Sequence, residues 1–443
     1  MNTHDKIKEY CDKVSEQVRW KKAKPSVYKE IENHLYDQRD AYMSNGEDEI
    51  SATEKAIKQM GDAVLIGEEL DKIHKPKPQI TMIALTGVLM LIGMFINYNT
   101  NGLYNKEFSI LPYIFAFFIF ICAYYMDFTL LGKYSNLICI SVLAIAILFV
   151  QHGYMLNGSM AYSKYPTELI FFSLVFPLVF SLFVYNMRNQ GVKGILITMA
   201  FYLPFAIILL KIPNMSGFIF YTLISFIVFC FAVYKGWYNV DRKKVLFALL
   251  ASGGLLFVLL LRLYIIQDLI ASERLQAFIS PEKYKYDYGF QFYVIRDIIE
   301  NSLLFGSNEF GQNPENIKVL LNLGNEHLLT YLIYRFGFIV LILIAILLSV
   351  FTFVAVKKAL KQKSMLGSII ALSIILIFVF QAVYYIILNL GYGMLSSLSL
   401  PFISYGKTAL FINSALVGFM LSVFRTGDVF SDNSLEKKYT DII

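Results

Sequence analysis

Charge is scarce in this chain: Asp, Glu, Lys and Arg make up 16% of its 443 residues, against about a quarter in a soluble globular protein. With 57% hydrophobic residues, that scarcity excludes an ordinary water-solvated globule and calls for lipid as part of the solvent. Cysteine is also sparse. Cys11, Cys122, Cys139 and Cys230 show neither metal-type spacing nor a pairing pattern, which excludes a disulfide framework and a zinc site and leaves packing as their reading. Several catalytic signatures are missing: there is no Walker loop, dinucleotide fingerprint, H-E-x-x-H or nucleophile elbow. The pair Gly253-Gly254, after Ser252 in an apolar run, reads as close helix packing rather than a phosphate cradle. No basic stripe or stacking platform for nucleic acid is present, so no nucleic-acid partner is expected. The net charge of +6 is better read as membrane topology.

What the chain does have is a succession of apolar runs, each near the length that crosses a hydrocarbon core. Ten spans are predicted, at residues 80–98, 108–126, 134–151, 168–187, 192–210, 217–234, 245–266, 327–356, 366–390 and 408–424. Charge tests the count. With a cytoplasmic N-terminus, the inner loops carry Lys133, Arg188, Lys193, Lys235, Arg242, Lys243, Lys244, Lys357, Lys358, Lys361, Lys363 and Arg425, whereas the short outer loops carry only Lys106, Lys164, Lys211 and Lys407. That asymmetry follows the positive-inside rule and would be scrambled by a missed span.

Residues 1–78 are a different material, rich in Lys, Glu and Asp, with helical apolar spacing at Ile7, Tyr10, Val14 and at Ile31, Leu35. Ser51 and Glu54 read as a capping box opening a helix that ends near Gly61. The run Lys75-Pro76-Lys77-Pro78 forms a stiff boundary. No signal-peptide signature precedes it, so this helical unit is expected in the cytoplasm, as is a tail at 429–443. The membrane domain is expected at 79–428. The loop 267–326 falls on the outer face; its length is usually functional, and its stretch 292–304 is amphipathic. The fold class is therefore all-α: a polytopic membrane protein with a small soluble helical domain ahead of it.

Ionisable groups in or beside spans are functional candidates, because each is costly in lipid. Glu168 opens the fourth predicted span after Pro166 and Thr167, and capping is its plain alternative. Glu326 and His327 stand where the long loop meets the eighth span; an interfacial helix start is the plain alternative there. Arg262 can snorkel, whereas Arg335 sits deeper in the eighth predicted span and needs a partner. His152 is a lone structural histidine.

Three stretches carry a family resemblance. Ser399-Leu400-Pro401-Phe402-Ile403-Ser404-Tyr405-Gly406 resembles the L-P-F-I-S-Y-G-G signature of the FtsW/RodA/SpoVE family. Arg274-Leu275, Pro281, Gly289, Gln291 and Leu304-Phe305-Gly306 follow the order of that family's long extracellular loop. Pro166-Thr167-Glu168-Leu169 looks like its P-S-E-L. The resemblance implies a glycosyltransferase that polymerises lipid II into glycan strands outside the cytoplasmic membrane, beside a class B penicillin-binding transpeptidase. It also implies a catalytic carboxylate. Counting back without gaps from Phe336-Gly337-Phe338 puts Glu326 at the family's aspartate; a slipped register would put His327 at its histidine and leave no acid near Thr330. Glu168, Arg274, Gln291, His327, Ser404 and Lys407 are the residues expected to bind substrate. Arg274, Lys283, Lys285 and Arg296 are available for the leaving pyrophosphate, and a divalent Mg or Mn ion held partly by phosphate oxygens is a further route.

The chain departs from the family pattern too. Residues 152–165 lack its Arg-Trp motif, Lys407 replaces its second signature glycine, and its P-x-T-G appears as Met394, Ser396 and Ser397. These departures support a second reading, a catalytically silent relative that binds lipid II or a transpeptidase. A lipid-linked oligosaccharide transporter is the third. Trp20, His34, Gly46 and Gly61 give the N-terminal unit a likeness to the prefix domain of some Gram-positive permeases and sensors, which by analogy implies protein contact.

Overall fold

The computed structural model describes residues 3–100, 108–151, 153–156, 159–162, 171–211, 215–267, 269–287, 289–308, 313–393, 398–404 and 406–427. The chain divides into two compact units: Met1–Gln79 with Lys361–Gly367 and the chain from Val423, and Ile80–Leu360 with Ser368–Ser422.

The first unit is built on four helices, Thr3–Gln17, Lys24–Ser44, Glu49–Met60 and Ala63–His74. Apolar side chains at helical spacing meet in one core of Ile7, Tyr10, Cys11, Val14, Val18, Val27, Ile31, Leu35 and Ala56. The third helix starts earlier than the expected capping box. Asp48 is its cap, accepting the Ser51 N–H at 3.2 Å, because an extended-backbone carboxylate just ahead of the first turn satisfies an orphan donor and the helix dipole together. Glu54 is thereby left to pair with Lys6 at 2.6 Å. Asp62 caps the next helix in the same way. The proline linker ends where the Lys77 N–H donates to Arg425 O at 3.0 Å and the Gln79 amide to Phe424 O at 2.8 Å. Those bonds satisfy carbonyls that the end of the last helix leaves open.

The second unit is a polytopic, predominantly helical membrane domain. Among the described residues six helices are long and apolar enough to cross a membrane: Ile80–Thr100, Gly191–Lys211, Met215–Tyr234, Ile339–Ala359, Met365–Tyr392 and Lys407–Thr426. Shorter apolar helices occupy Leu111–Tyr125, Ser135–Val150 and Ser173–Asn186, and Arg242–Gln267 coincides with the seventh predicted span. Large apolar side chains such as Phe95, Phe118, Ile140, Phe247, Leu343 and Phe353 face outward, as a lipid solvent permits and water does not. The helices Met365–Tyr392 and Lys407–Thr426 are central, with 67% of their most apolar stretch buried, whereas Ile339–Ala359 has 22% buried.

Two expectations need correction. The eighth span begins at Ile339, not 327: Leu328–Phe336 is a separate helix, broken off at Gly337, whose φ of +87° ends it. Arg335 consequently lies exposed in the last turn of that short helix rather than deep in a span. A small antiparallel hairpin, Gly153–Leu156 with Ser159–Tyr162, adds the one described piece of sheet. Among its described residues the long loop holds helices Leu269–Ile279, Phe290–Glu300 and Pro314–Leu323 followed by a 3-10 turn, Gly324–His327. Cys11 and Cys139 are buried, in line with packing, while Cys122 is exposed on its apolar helix.

Candidate active site

The loop helices and the end of the penultimate membrane helix converge on the turn Gly324–His327. Asn389 makes the junction. It lies in the π-helical turn Leu388–Tyr392 and is fully buried. Its Nδ2 donates to Glu326 O at 3.1 Å and Tyr385 O at 2.9 Å, and its Oδ1 accepts the Thr330 N–H at 3.0 Å. The Thr330 hydroxyl donates to Asn389 O at 2.7 Å. An N–H in the first turn of the helix Leu328–Phe336 has no partner within that helix. A side-chain amide from another helix therefore caps it and holds the preceding residue, Glu326, by its backbone.

Glu326 itself presents an exposed side chain whose carboxylate has no hydrogen-bond or ion-pair partner among the described residues. Surrounding protein nonetheless pushes its carboxyl above the usual carboxylate range through desolvation. His327 points the other way. It is buried, and its Nε2 lies 2.7 Å from the Gln291 Nε2. With the amide nitrogen donating, that ring nitrogen carries the lone pair and Nδ1 the hydrogen. Burial lowers the His327 pKa to about 4, so the ring is neutral at physiological pH.

The helix Phe290–Glu300 supplies Gln291 and also Arg296. The Arg296 Nε donates to Gly391 O at 3.0 Å and its Nη2 to Phe278 O at 2.8 Å, while its guanidinium lies over the rings of Tyr392 (4.6 Å) and Phe278 (5.4 Å). This arginine, one of the four loop cations available for the pyrophosphate, joins the loop to the π-turn. Asp297 accepts from Asn316 at 2.6 Å and ties in the helix Pro314–Leu323.

Other expected site residues lie elsewhere. In the signature turn, the Ser404 hydroxyl accepts the Leu400 N–H at 2.8 Å and closes the turn. Phe402 sits there at φ +66°, a strained value for a bulky residue. The Asn97 Nδ2 donates to Ile403 O at 3.0 Å and to Gly93 O at 2.7 Å, with Tyr113 Oη at 2.8 Å, pinning the turn to the helix Ile80–Thr100. Lys407 is exposed at the first residue of the helix Lys407–Thr426. Lys283 is exposed, and the Lys285 ammonium lies 5.0 Å from the Tyr286 ring centre. Arg274 belongs to the helix Leu269–Ile279, but its side chain, like that of Arg262, lies outside what is described. Glu168, its neighbours Pro166 and Thr167, and His152 are outside the described residues. No group of three or more metal-ligating side chains gathers among the described residues.

The structure thus brings together Glu326, His327 and Gln291 from the expected set and adds Asn389 and Thr330. The available sequence signal for Asn389 was an amide within an otherwise apolar run.

A family model described as Cell cycle protein, for FtsW, RodA and SpoVE, matches residues 77–428. The FtsW of Haemophilus influenzae, named as a probable peptidoglycan glycosyltransferase, is 30% identical over 212 residues, 44% of this chain and 50% of that protein. A protein of the same name from Pasteurella multocida is 29% identical over 184 residues, 40% of this chain and 44% of that one. The chain spans about half the length of these curated relatives, or less. Among solved structures, a chain from a peptidoglycan synthase complex that coordinates polymerization and crosslinking superposes with a TM-score of 0.61 at 17% identity, covering 79% of this chain and 98% of that chain. RodA of Thermus thermophilus superposes with a TM-score of 0.52 at 15% identity, covering 78% and 96%. At these identities the two structures bear on the fold.

Proposed function

Because this chain belongs to the FtsW/RodA/SpoVE family of cell cycle proteins, we propose that it is a peptidoglycan glycosyltransferase that extends glycan strands from lipid II at the outer face of the cytoplasmic membrane. The observation that carries the reading is the carboxylate of Glu326: it is exposed, partner-free among the described residues, and pushed toward higher pKa at the point where the loop helices meet the membrane helices. Glycan extension needs such a group. The acceptor sugar hydroxyl gives its proton to Glu326 as its oxygen bonds to the anomeric carbon, and the bond from that carbon to the lipid pyrophosphate breaks. A carboxylate with a raised pKa is the stronger base once ionised. The departing pyrophosphate carries the electron pair and needs cations; Arg274, Lys283 and Lys285 lie on the same loop, and a Mg or Mn ion bound chiefly through phosphate oxygens would add to them.

His327 follows Glu326 in the chain and its ring meets Gln291; both are expected substrate-binding residues, with Glu168, Arg274, Ser404 and Lys407 the others. The names of the FtsW relatives support the reaction class, and the synthase-complex neighbour supports a class B penicillin-binding transpeptidase as partner. Positive charge on the loops supports a topology with both termini in the cytoplasm and the long loop outside.

The test is polymerisation of labelled lipid II by the purified full chain in liposomes with a candidate transpeptidase, comparing wild type with Glu326→Gln. Polymer from the wild type and a 10²- to 10⁴-fold loss in the folded variant, the usual range (roughly) for a general base, supports the reading. Lipid II binding without polymer from either sinks it and favours the silent relative, the alternative raised by the missing Arg-Trp motif.

A further inference from the structure

Leu303, Leu304, Phe305 and Phe336 form an apolar patch that the site chemistry does not use. They are 45, 56, 65 and 52% exposed, yet the backbone beneath them is fixed. The Phe338 N–H donates to Leu303 O at 3.0 Å, the Ile339 N–H to Leu304 O at 3.1 Å, and the Gly306 N–H to Phe336 O at 3.0 Å. Between them, Gly337 comes so close that a Cβ would meet Leu304 O at 2.6 Å. The segment 303–306 and the segment 336–339 are therefore one hydrogen-bonded unit, and it holds four large apolar side chains outward.

Ile339, within that unit, is also the first residue of the membrane helix Ile339–Ala359, whose most apolar stretch is 22% buried and so turns most of its surface to lipid. The patch continues that lipid-facing surface past the helix end. Leu and Phe side chains bury at the boundary between headgroups and acyl chains. The neighbouring Arg335 is exposed, and such a side chain can lay its stem on apolar surface with its charge among headgroups.

We propose that the turn 303–306 together with Phe336 is a membrane anchor, inserting Leu304 and Phe305 among the lipids where the helix Ile339–Ala359 enters the bilayer. The helix Leu328–Phe336 is then tied to the lipid at one end and carries Glu326 just beyond the other, about 14 Å away by helical rise.

The experiment uses the full chain reconstituted in phosphatidylcholine vesicles, with Phe305→Trp and Leu304→Trp made separately. The wild type, which has Trp20 and Trp237, gives the background to subtract. The added indole is expected to emit at shorter wavelength than N-acetyl-tryptophanamide, to lose at least half its intensity in vesicles brominated high on the acyl chain, and to resist acrylamide. An indole in both variants that acrylamide quenches like the free compound, with no response to bromine, overturns the anchor and assigns the patch to water or to a protein partner. Quenching reads the lipid contact whether or not the chain polymerises glycans, so failure here and failure of the glycosyltransferase reading are separate results.

Discussion

A carboxyl group whose folded pKa is raised favours the folded state while protonated and burdens it once ionised. For Glu326 the contribution is full below the unfolded value and lost as pH rises through the raised folded one. Glu326→Gln removes the ionisation. The variant should melt higher than wild type at neutral pH, with the gap closing in acid, even as polymerisation is lost; a lower neutral melting temperature would contradict the desolvation. His327 works with the opposite sign. Its folded pKa of about 4 lies below the ordinary 6.5, so its contribution is present above 6.5 and lost as pH falls toward 4. His327→Asn should flatten the acid side of the melting profile over that window; an unchanged profile would mean the ring is not the group that titrates.

Two close contacts join elements, one at the site and one at the signature turn. Asn389 caps the helix Leu328–Phe336 through Thr330 and holds the Glu326 carbonyl, and removing such a buried amide typically costs about 1–3 kcal/mol. Asn389→Ala should speed amide exchange across 326–330 and lower polymer yield, while exchange in Ile80–Thr100 stays as it was. Gly93 is the second contact: a Cβ there would fall 2.0 Å from Phe402 O. Backbone cannot yield as a flexible side chain can, so Gly93→Ala must displace the signature turn. We expect a loss of about 1–3 kcal/mol, the cost of an overpacked site, measured by thermal melting in detergent; a neutral result would show that the turn adapts.

At the scale of the whole molecule, alkaline phosphatase fused within 281–287 is expected to be active and fused at 361–363 inactive, because the positive-inside rule assigns a lysine-rich loop to the cytoplasmic side; the reverse pattern would invert the topology. The ten predicted spans each have a helix at their place, because crossing a hydrocarbon core demands length and apolarity that any window along the chain reveals. The same local reasoning set the proline boundary at 75–78 and placed Glu326 at the end of the long loop. It misjudged residues 327–338, where one positive-φ glycine divides the backbone of a mostly apolar run, and it placed Arg335 deep in a span as a result. By itself the sequence determined what each segment needs as solvent, a property of composition and period. Only the tertiary structure decided that Asn389 holds Glu326, that Gln291 meets His327, and that Arg296 is already taken by Gly391 and Tyr392. Those pairings join residues 36 to 96 positions apart, and hydrogen bonds of 2.7 to 3.1 Å depend on a backbone approach that no local pattern encodes.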